Sequence, residues 1–377
     1  MQKKFSAWLL LFVLHMGMAW MLIAGVQYLM KNPSAEKEEN SGQSFFGWEK
    51  ADALFHDTIP GADIAMELRT KLSLAMGNRK IGNVYVSSER LLQEPSALDE
   101  SALLETAQYI NTFYAQYTIP TCLVAVPSAT EIYTEYLPDH ANVESQLTQM
   151  DAFYEMTDAQ IRKMDAYHVL MTCKDDYIFY RTDSKWTSYG AYCVYRNIIR
   201  KMGYYPVSYD SYSITHVKCD FQGDLYEACL YQEVIPDILD VYTCENSSVI
   251  ESMRSFDGMQ WTDCTFYNEE ELAQENADAF YMGAPKLHTE IRTDVENGKR
   301  LLVIKDSYGD CMIPFLTQHY AQIDVIDINC LDRPLAELLN PAFYQQVLIL
   351  CDADTFENTD AFFYLTEGTE TGGEEDD

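Results

Sequence analysis

The sequence predicts a layered α/β domain: a mostly parallel sheet flanked by helices, preceded by one N-terminal transmembrane helix. Three observations carry this expectation. Short apolar runs alternate with longer helical patterns from about residue 77 to residue 365, the rhythm of strands covered on both faces. A charge-free apolar stretch fills residues 5–30. Finally, 47% of the 377 residues are hydrophobic, too many for a disordered chain.

The first element is the span. FSAWLLLFVLHMGMAWMLIAGVQYLM, from Phe5 to Met30, has no Asp, Glu, Lys or Arg, and about twenty apolar residues cross a bilayer. Bulky Trp20, Met21 and Leu22 stand where a cleavage site needs small residues, so the stretch reads as an uncleaved signal anchor. Lys3 and Lys4 orient it N-in, which places everything after Lys31 outside the cytoplasm and makes the protein single-pass in the cell membrane. Residues 1–31 are then the anchor and 32–75 a linker and lead-in that begins with polar NPSAEKEENSGQ. Residues 76–365 form the domain and 366–377 an acidic tail.

Within the domain, strands are expected at Asn83–Val86, Thr121–Val126, Tyr177–Tyr180, Arg300–Ile304, Ile323–Ile328 and Gln346–Leu350. Helical patterns fall between them, at Ser96–Tyr117, Glu144–Ala166, Thr187–Met202, Cys311–Tyr320 and Arg333–Leu339. Residues 205–299 are less regular and read as an excursion from this scaffold. In such folds sites gather at the carboxyl ends of the strands.

Charge excludes one class of partner. Lys and Arg number 26 against 59 Asp and Glu, a formal net charge of −33, whereas a phosphate backbone needs clustered cations. Nucleic acid is therefore set aside. The ten cysteines are scattered, with no C-x-x-C and no zinc-type Cys/His spacing, so neither a metal nor another cofactor is expected.

Two segments could carry chemistry. In KRLLVIKDSYGDCMIPF (299–315) an apolar strand ends at Lys305 and a helix follows, so Ser307 sits at a strand-to-helix turn. A serine there can act as a nucleophile beside backbone N–H groups, or Asp306 or Ser307 can simply cap the helix. In YRTDSKWTSYGAY (180–192) Asp183 likewise stands between a strand and a helix pattern. It is either a site carboxylate or a second cap, with Trp186 and Tyr189 packing as core.

Together these segments resemble the two signature blocks of the DHHW protein family, SGNH-hydrolase-like proteins related to the alginate O-acetyltransferases, in which the first block reads YRTDHHWTSLGAY. VAVPSATEIYTEYLPDHA (124–141), CDFQGDLYEA (219–228) and HYAQIDVIDIN (319–329) are similar to family segments in the same order. The resemblance implies an SGNH-hydrolase-like sheet in which the serine of the KDS turn is the nucleophile and the Asp and second His of DHHW complete a triad. Ser307 and Asp183 match that pattern, and Tyr308 and Trp186 flank them as supporting residues. The histidine is missing: DHHW is DSKW here, with Ser184 for the first His and Lys185 for the catalytic one. Asp310 stands where members often carry an amide.

An imidazole titrates near 6.5 and an unperturbed lysine near about 10.4, so Lys185 suits general-base work only if its proton is destabilised. Asp183 two positions away does the opposite, and Lys185 reads as its ion-pair partner. His288, just before the nucleophile strand, is the residue expected to supply an imidazole if another one does. Two functions are consistent with these residues. One is an esterase or O-acetyltransferase acting on a cell-envelope polysaccharide through Ser307, working with a membrane-bound O-acyltransferase as the resemblance implies. The other is a catalytically degenerate homologue that binds glycan or scaffolds its partners.

Overall fold

The computed structural model describes residues 62–244, 248–274 and 277–366. A helix at Ala62–Ala75 precedes a small antiparallel meander, Lys80–Ile81, Val84–Val86 and Leu91–Gln93 (β1–β3). The central sheet takes eight strands: Thr121–Val126 (β4), Arg162–Lys163 (β5), Ile250–Phe256 (β8), Trp261–Asp263 (β9), His288–Thr293 (β10), Arg300–Lys305 (β11), Gln322–Asp327 (β12) and Gln346–Asp352 (β13). They lie in the order β5-β4-β13-β11-β12-β10-β8-β9. Between β5 and β8 in the chain, Tyr212–Phe221 (β6) and Asp237–Cys244 (β7) form a separate antiparallel pair.

Period-two alternation sorts the side chains of the central strands onto two faces. Val124, Leu301, Val303, Val325 and Leu348 point to one face, where the helix Ser188–Lys201 lays Tyr192, Tyr195 and Ile199 on them. Leu123, Leu302, Ile304, Val347 and Ile349 point to the other, against Leu103, Ile110 and Phe113 of the helix Glu100–Tyr117. Both helices begin on side-chain caps. Asp99 accepts from Ser101 and Ala102 N–H, and Thr187 from Gly190 N–H, which satisfies donors that a helix start leaves open.

Several expectations are corrected here. The sheet is mostly parallel, as expected, but not throughout: β5, β4, β13, β11 and β12 run parallel, while β10, β8 and β9 extend it antiparallel. Those three strands come from the irregular part of the chain and its end, where alternation is too weak to announce a direction. Tyr177–Tyr180 is no sheet strand. It turns back on itself through a single bridge between Phe179 and Trp186. The expected helix Glu144–Ala166 divides into Gln146–Met156, then β5, then a second helix at Ala166–Thr172.

The transmembrane helix and single-pass membrane topology are also corrected: among the described residues no helix is long and apolar enough to cross a membrane. The longest, Glu100–Tyr117, has the required 18 residues but carries Glu100, Glu105 and Gln108 on an exposed face, so it is a sheet-covering helix. The stretch that prompted the expectation, residues 5–30, lies outside the described residues, as do 367–377 of the acidic tail.

Parallel strands put their carboxyl ends on one edge. The chain leaves β4, β11, β12 and β13 there, and hydrogen bonds tie the exits together: Asp352 N–H donates to Asp306 Oδ2 at 2.7 Å, and Gln146 Nε2 to Asp354 Oδ1 at 2.5 Å. This edge holds both signature segments.

Candidate active site

Directly after β11 the chain tightens into a 3-10 turn, Ser307–Met312. Asp306 is its cap. One carboxylate oxygen accepts from Tyr308 N–H at 2.9 Å, and the other from Asp352 N–H and Thr355 Oγ1, each at 2.7 Å. The capping task therefore falls to Asp306, not Ser307. Asp306 and Tyr308 are buried, and Ser307 between them is half-open. The first two amides after Ser307 are already committed, Tyr308 N–H to the Asp306 carboxylate and Gly309 N–H to the Asp306 carbonyl at 3.0 Å. They are not spare donors for an oxyanion.

The DSKW segment reaches this turn through two hydrogen bonds. Trp186 Nε1 donates to the Tyr308 carbonyl and Tyr308 Oη to the Ser184 carbonyl, each at 2.7 Å, with the two rings tilted at a centroid distance of 5.9 Å. Burial, then Asp352, pushes the Tyr308 phenol well above its ordinary range, so it stays a donor. Asp183 is buried; its Oδ1 accepts from Lys185 N–H at 2.8 Å and faces Lys185 Nζ at 3.4 Å. Lys185 is thus an ammonium set against the carboxylate that would orient an imidazole in the family pattern.

Asp310 is turned toward Lys305 rather than outward. Lys305 Nζ lies 2.7 Å from Asp310 and 2.6 Å from Asp327, the whole group being nearly closed to solvent. Burial alone would lower Lys305, but the two carboxylates outweigh it and hold the ammonium charged. With two acids sharing one cation, burial leaves the Asp310 carboxyl pushed up to about 7. Gly309 makes room for this arrangement, since a Cβ there would sit 2.7 Å from Lys305 Cβ.

His288 is placed elsewhere. At the start of β10 it shares the face of Asp324, whose Oδ1 lies 2.7 Å from His288 Nε2, and Trp261 packs edge-on against the ring. That is the sheet face opposite Trp186 and Tyr308. His319 is buried against Tyr195 Oη at 2.7 Å, and His168 and His216 pair with Asp165 and Asp240 at the surface. His15 and His56 lie outside the described residues.

Two carboxylates that sequence reasoning passed over organise the site. Asp224 accepts from Ser184 N–H at 2.8 Å and from Ser184 Oγ at 2.6 Å. Asp237, fully buried at the start of β7, accepts from the N–H groups of Arg181 and Thr182, from Thr182 Oγ1 and from Tyr177 Oη. Asp224 lies within CDFQGDLYEA, a segment similar to the family's in which nothing local sets this carboxylate apart. Asp237 carries no local signal, since its partners are 55 to 60 positions away.

A profile of the DHHW protein family matches residues 105–326, which include both signature segments and most of the central sheet. The chain belongs to the DHHW family. A DHHW family protein from Eubacterium siraeum superposes with a TM-score of 0.62 at 19% identity, over 74% of this chain and 96% of that one. PatB1 from Bacillus cereus, solved with a sulfonyl adduct, gives a TM-score of 0.64 at 16% identity, over 75% and 98%. The O-acetyltransferase domain of AlgJ from Pseudomonas putida is similar at a TM-score of 0.45 and 16% identity, over 78% and 96%. At these identities the first two likenesses establish the DHHW fold alone. No curated protein matches the chain by sequence.

Proposed function

We propose that this DHHW protein takes part in O-acetylation or deacetylation of a cell-envelope polysaccharide through a site centred on Ser307. In this reading it works as a glycan-binding or scaffolding homologue rather than as a fast esterase. The observation that carries the second half is the Lys185 ammonium 3.4 Å from Asp183. A charged ammonium has no lone pair to accept the Ser307 hydroxyl proton, and loss of a triad member lowers rates by orders of magnitude. The acyl donor would come from a membrane-bound O-acyltransferase, as in the family pattern.

A second reading, a working acyltransferase or esterase, is favoured by one observation: Ser307 is half-open and relieved of capping by Asp306. PatB1 is known with a sulfonyl adduct, and that suggests the test. The protein is treated with a sulfonyl fluoride and the modified peptide is mapped, alongside hydrolysis of a small acetyl ester. Slow labelling at Ser307, absent in Ser307→Ala, with ester turnover near background supports the degenerate reading. Rapid labelling with turnover abolished in Ser307→Ala supports the second. No labelling of Ser307 together with no turnover removes the second reading, and rapid turnover removes the first.

A further inference from the structure

Arg90 is a buried guanidinium whose Nη1 has no hydrogen-bond partner in the fold, although it is only 9% exposed. Its Cζ lies over the Tyr133 ring, 3.6 Å from the centroid, and 5.6 Å from that of Tyr136. Contact with the two rings holds the group in place and leaves Nη1 without an acceptor. Burial, with Arg181 adding to it, lowers the proton affinity of Arg90, while the two tyrosines pull the other way. Such a group is stabilised by an acceptor that folding itself does not provide.

Arg90 lines a cleft of about 330 Å³ together with Tyr133, Tyr136, Lys174, Tyr177 and Arg181. This volume is at the lower end of the usual range for small-molecule sites, about 300–1,000 Å³, and suits one or two sugar rings. The polar lining alternates in sign. Arg181 lies over Tyr177 at 4.6 Å, Lys174 pairs with Glu135 at 2.9 Å, and Tyr136 Oη donates to Glu89 at 2.9 Å. Asp175 and Asp176 complete the wall, so four carboxylates (Glu89, Glu135, Asp175, Asp176) face three cations (Arg90, Lys174, Arg181) and an anion would meet at least as much repulsion as attraction. Hydroxyl groups, which both donate and accept, match a wall of mixed donors and acceptors, and the C–H faces of a pyranose match tyrosine rings.

We propose that this cleft is a subsite for a neutral sugar residue, an inference that rests on the glycan reading above. The cleft is tied to the signature block by its backbone. Leu91 N–H donates to the Arg181 carbonyl at 2.8 Å, and Arg181 stands two residues before Asp183, its own N–H held by Asp237. A sugar bound here places the neighbouring units of its chain beside the DSKW segment.

The test is calorimetric titration of the protein with tetramers of N-acetylglucosamine and of mannose, and with a uronate tetramer of equal length. Arg90→Ala risks the fold, so Tyr136→Ala and Arg181→Ala, at half-exposed positions, are used, with thermal melts to verify folding. The subsite is supported if a neutral tetramer binds in preference to the uronate and both variants weaken it by about tenfold or more. It is overturned if both variants bind as wild type does, if the uronate binds best, or if none of the three binds. Binding by the wild type judges the underlying glycan reading separately: a tetramer that binds the wild type and both variants equally removes the subsite alone, and no binding by any of the three removes the two together.

Discussion

Trp186 Nε1 and the carbonyl oxygen of Tyr308 lie 2.7 Å apart, a buried hydrogen bond joining segments 122 positions apart in the chain. Its effect is to make the two signature blocks one unit. The bond fixes the turn on which Ser307 stands against the segment that carries Asp183 and Lys185, and Tyr308 Oη returns a second bond to Ser184.

Removing the indole donor should therefore weaken both the fold and the site. Trp186→Phe leaves the Tyr308 carbonyl without its donor in a closed environment, a cost of about 1–3 kcal/mol beyond the lost packing. The urea midpoint should fall with the slope unchanged, and sulfonyl labelling of Ser307 should slow. Tyr308→Phe, which loses only the bond to Ser184, should cost less. The double variant should fall short of the sum, because the two side chains share one contact.

Gly223 makes a sharper test of the Asp183 environment. A Cβ at this position would lie 2.3 Å from both Asp183 Cβ and Asp183 Oδ2, closer than non-bonded atoms come. Gly223→Ala must push the buried carboxylate or the loop before the helix Asp224–Cys229 out of place, with an expected loss of about 1–3 kcal/mol. Thermal denaturation reads this directly; a melting temperature equal to wild type would mean that the loop yields freely.

How far the chain could be read in advance follows from where its information sits. β4, β11, β12 and β13 were legible because strands buried on both faces are short continuous apolar runs, such as TCLVAV and VLILC. The two segments that carry Ser307, Asp183 and Lys185 were legible as short signature blocks, and Trp186 and Tyr308 join them in the fold. The three antiparallel strands were not, since His288–Thr293 reads HTEIRT, with polar residues on both faces: Glu290 is balanced by Arg254 and Arg292 from neighbouring positions. Nor was the displacement of His288, whose partner Asp324 is 36 positions away on β12. Asp237 shows the same limit, because its partners, the N–H groups of Arg181 and Thr182 and the hydroxyls of Thr182 and Tyr177, lie 55 to 60 positions away.

His319 should shape the acid limb of stability. Burial lowers its imidazole from 6.5 to about 4, against Tyr195. The folded state thus prefers the neutral ring, while the unfolded chain takes up a proton below 6.5. The contribution is complete above pH 6.5 and is lost as pH falls toward 4, on the order of 3 kcal/mol in all. His319→Gln removes this one proton-linked step. Its loss of stability relative to wild type should be largest at neutral pH and shrink toward pH 4 in urea titrations, and a constant difference across that window would contradict the assignment.

The final prediction concerns Lys185 and Asp310 together. If the ion pair with Asp183 is what holds the acyl chemistry back, Lys185→His should create or raise hydrolysis of a small acetyl ester, because Asp183 then faces an imidazole as in the family pattern. A gain of about tenfold or more over wild type, lost again in Ser307→Ala, is the expected result. The oxyanion side is the second obstacle. The amides of Tyr308 and Gly309 are committed to Asp306, and Asp310 contributes a carboxylate beside Lys305 where the family pattern often has an amide. Asp310→Asn leaves Lys305 paired with Asp327 alone and removes a carboxylate from behind the turn, so it should add to Lys185→His in kcat rather than KM. Asp310→Asn alone should change little, since a better oxyanion site is of no use without a base. A wild type that turns over ester at a high rate and loses it on Lys185→Met would make lysine the base and reverse the argument from the ion pair.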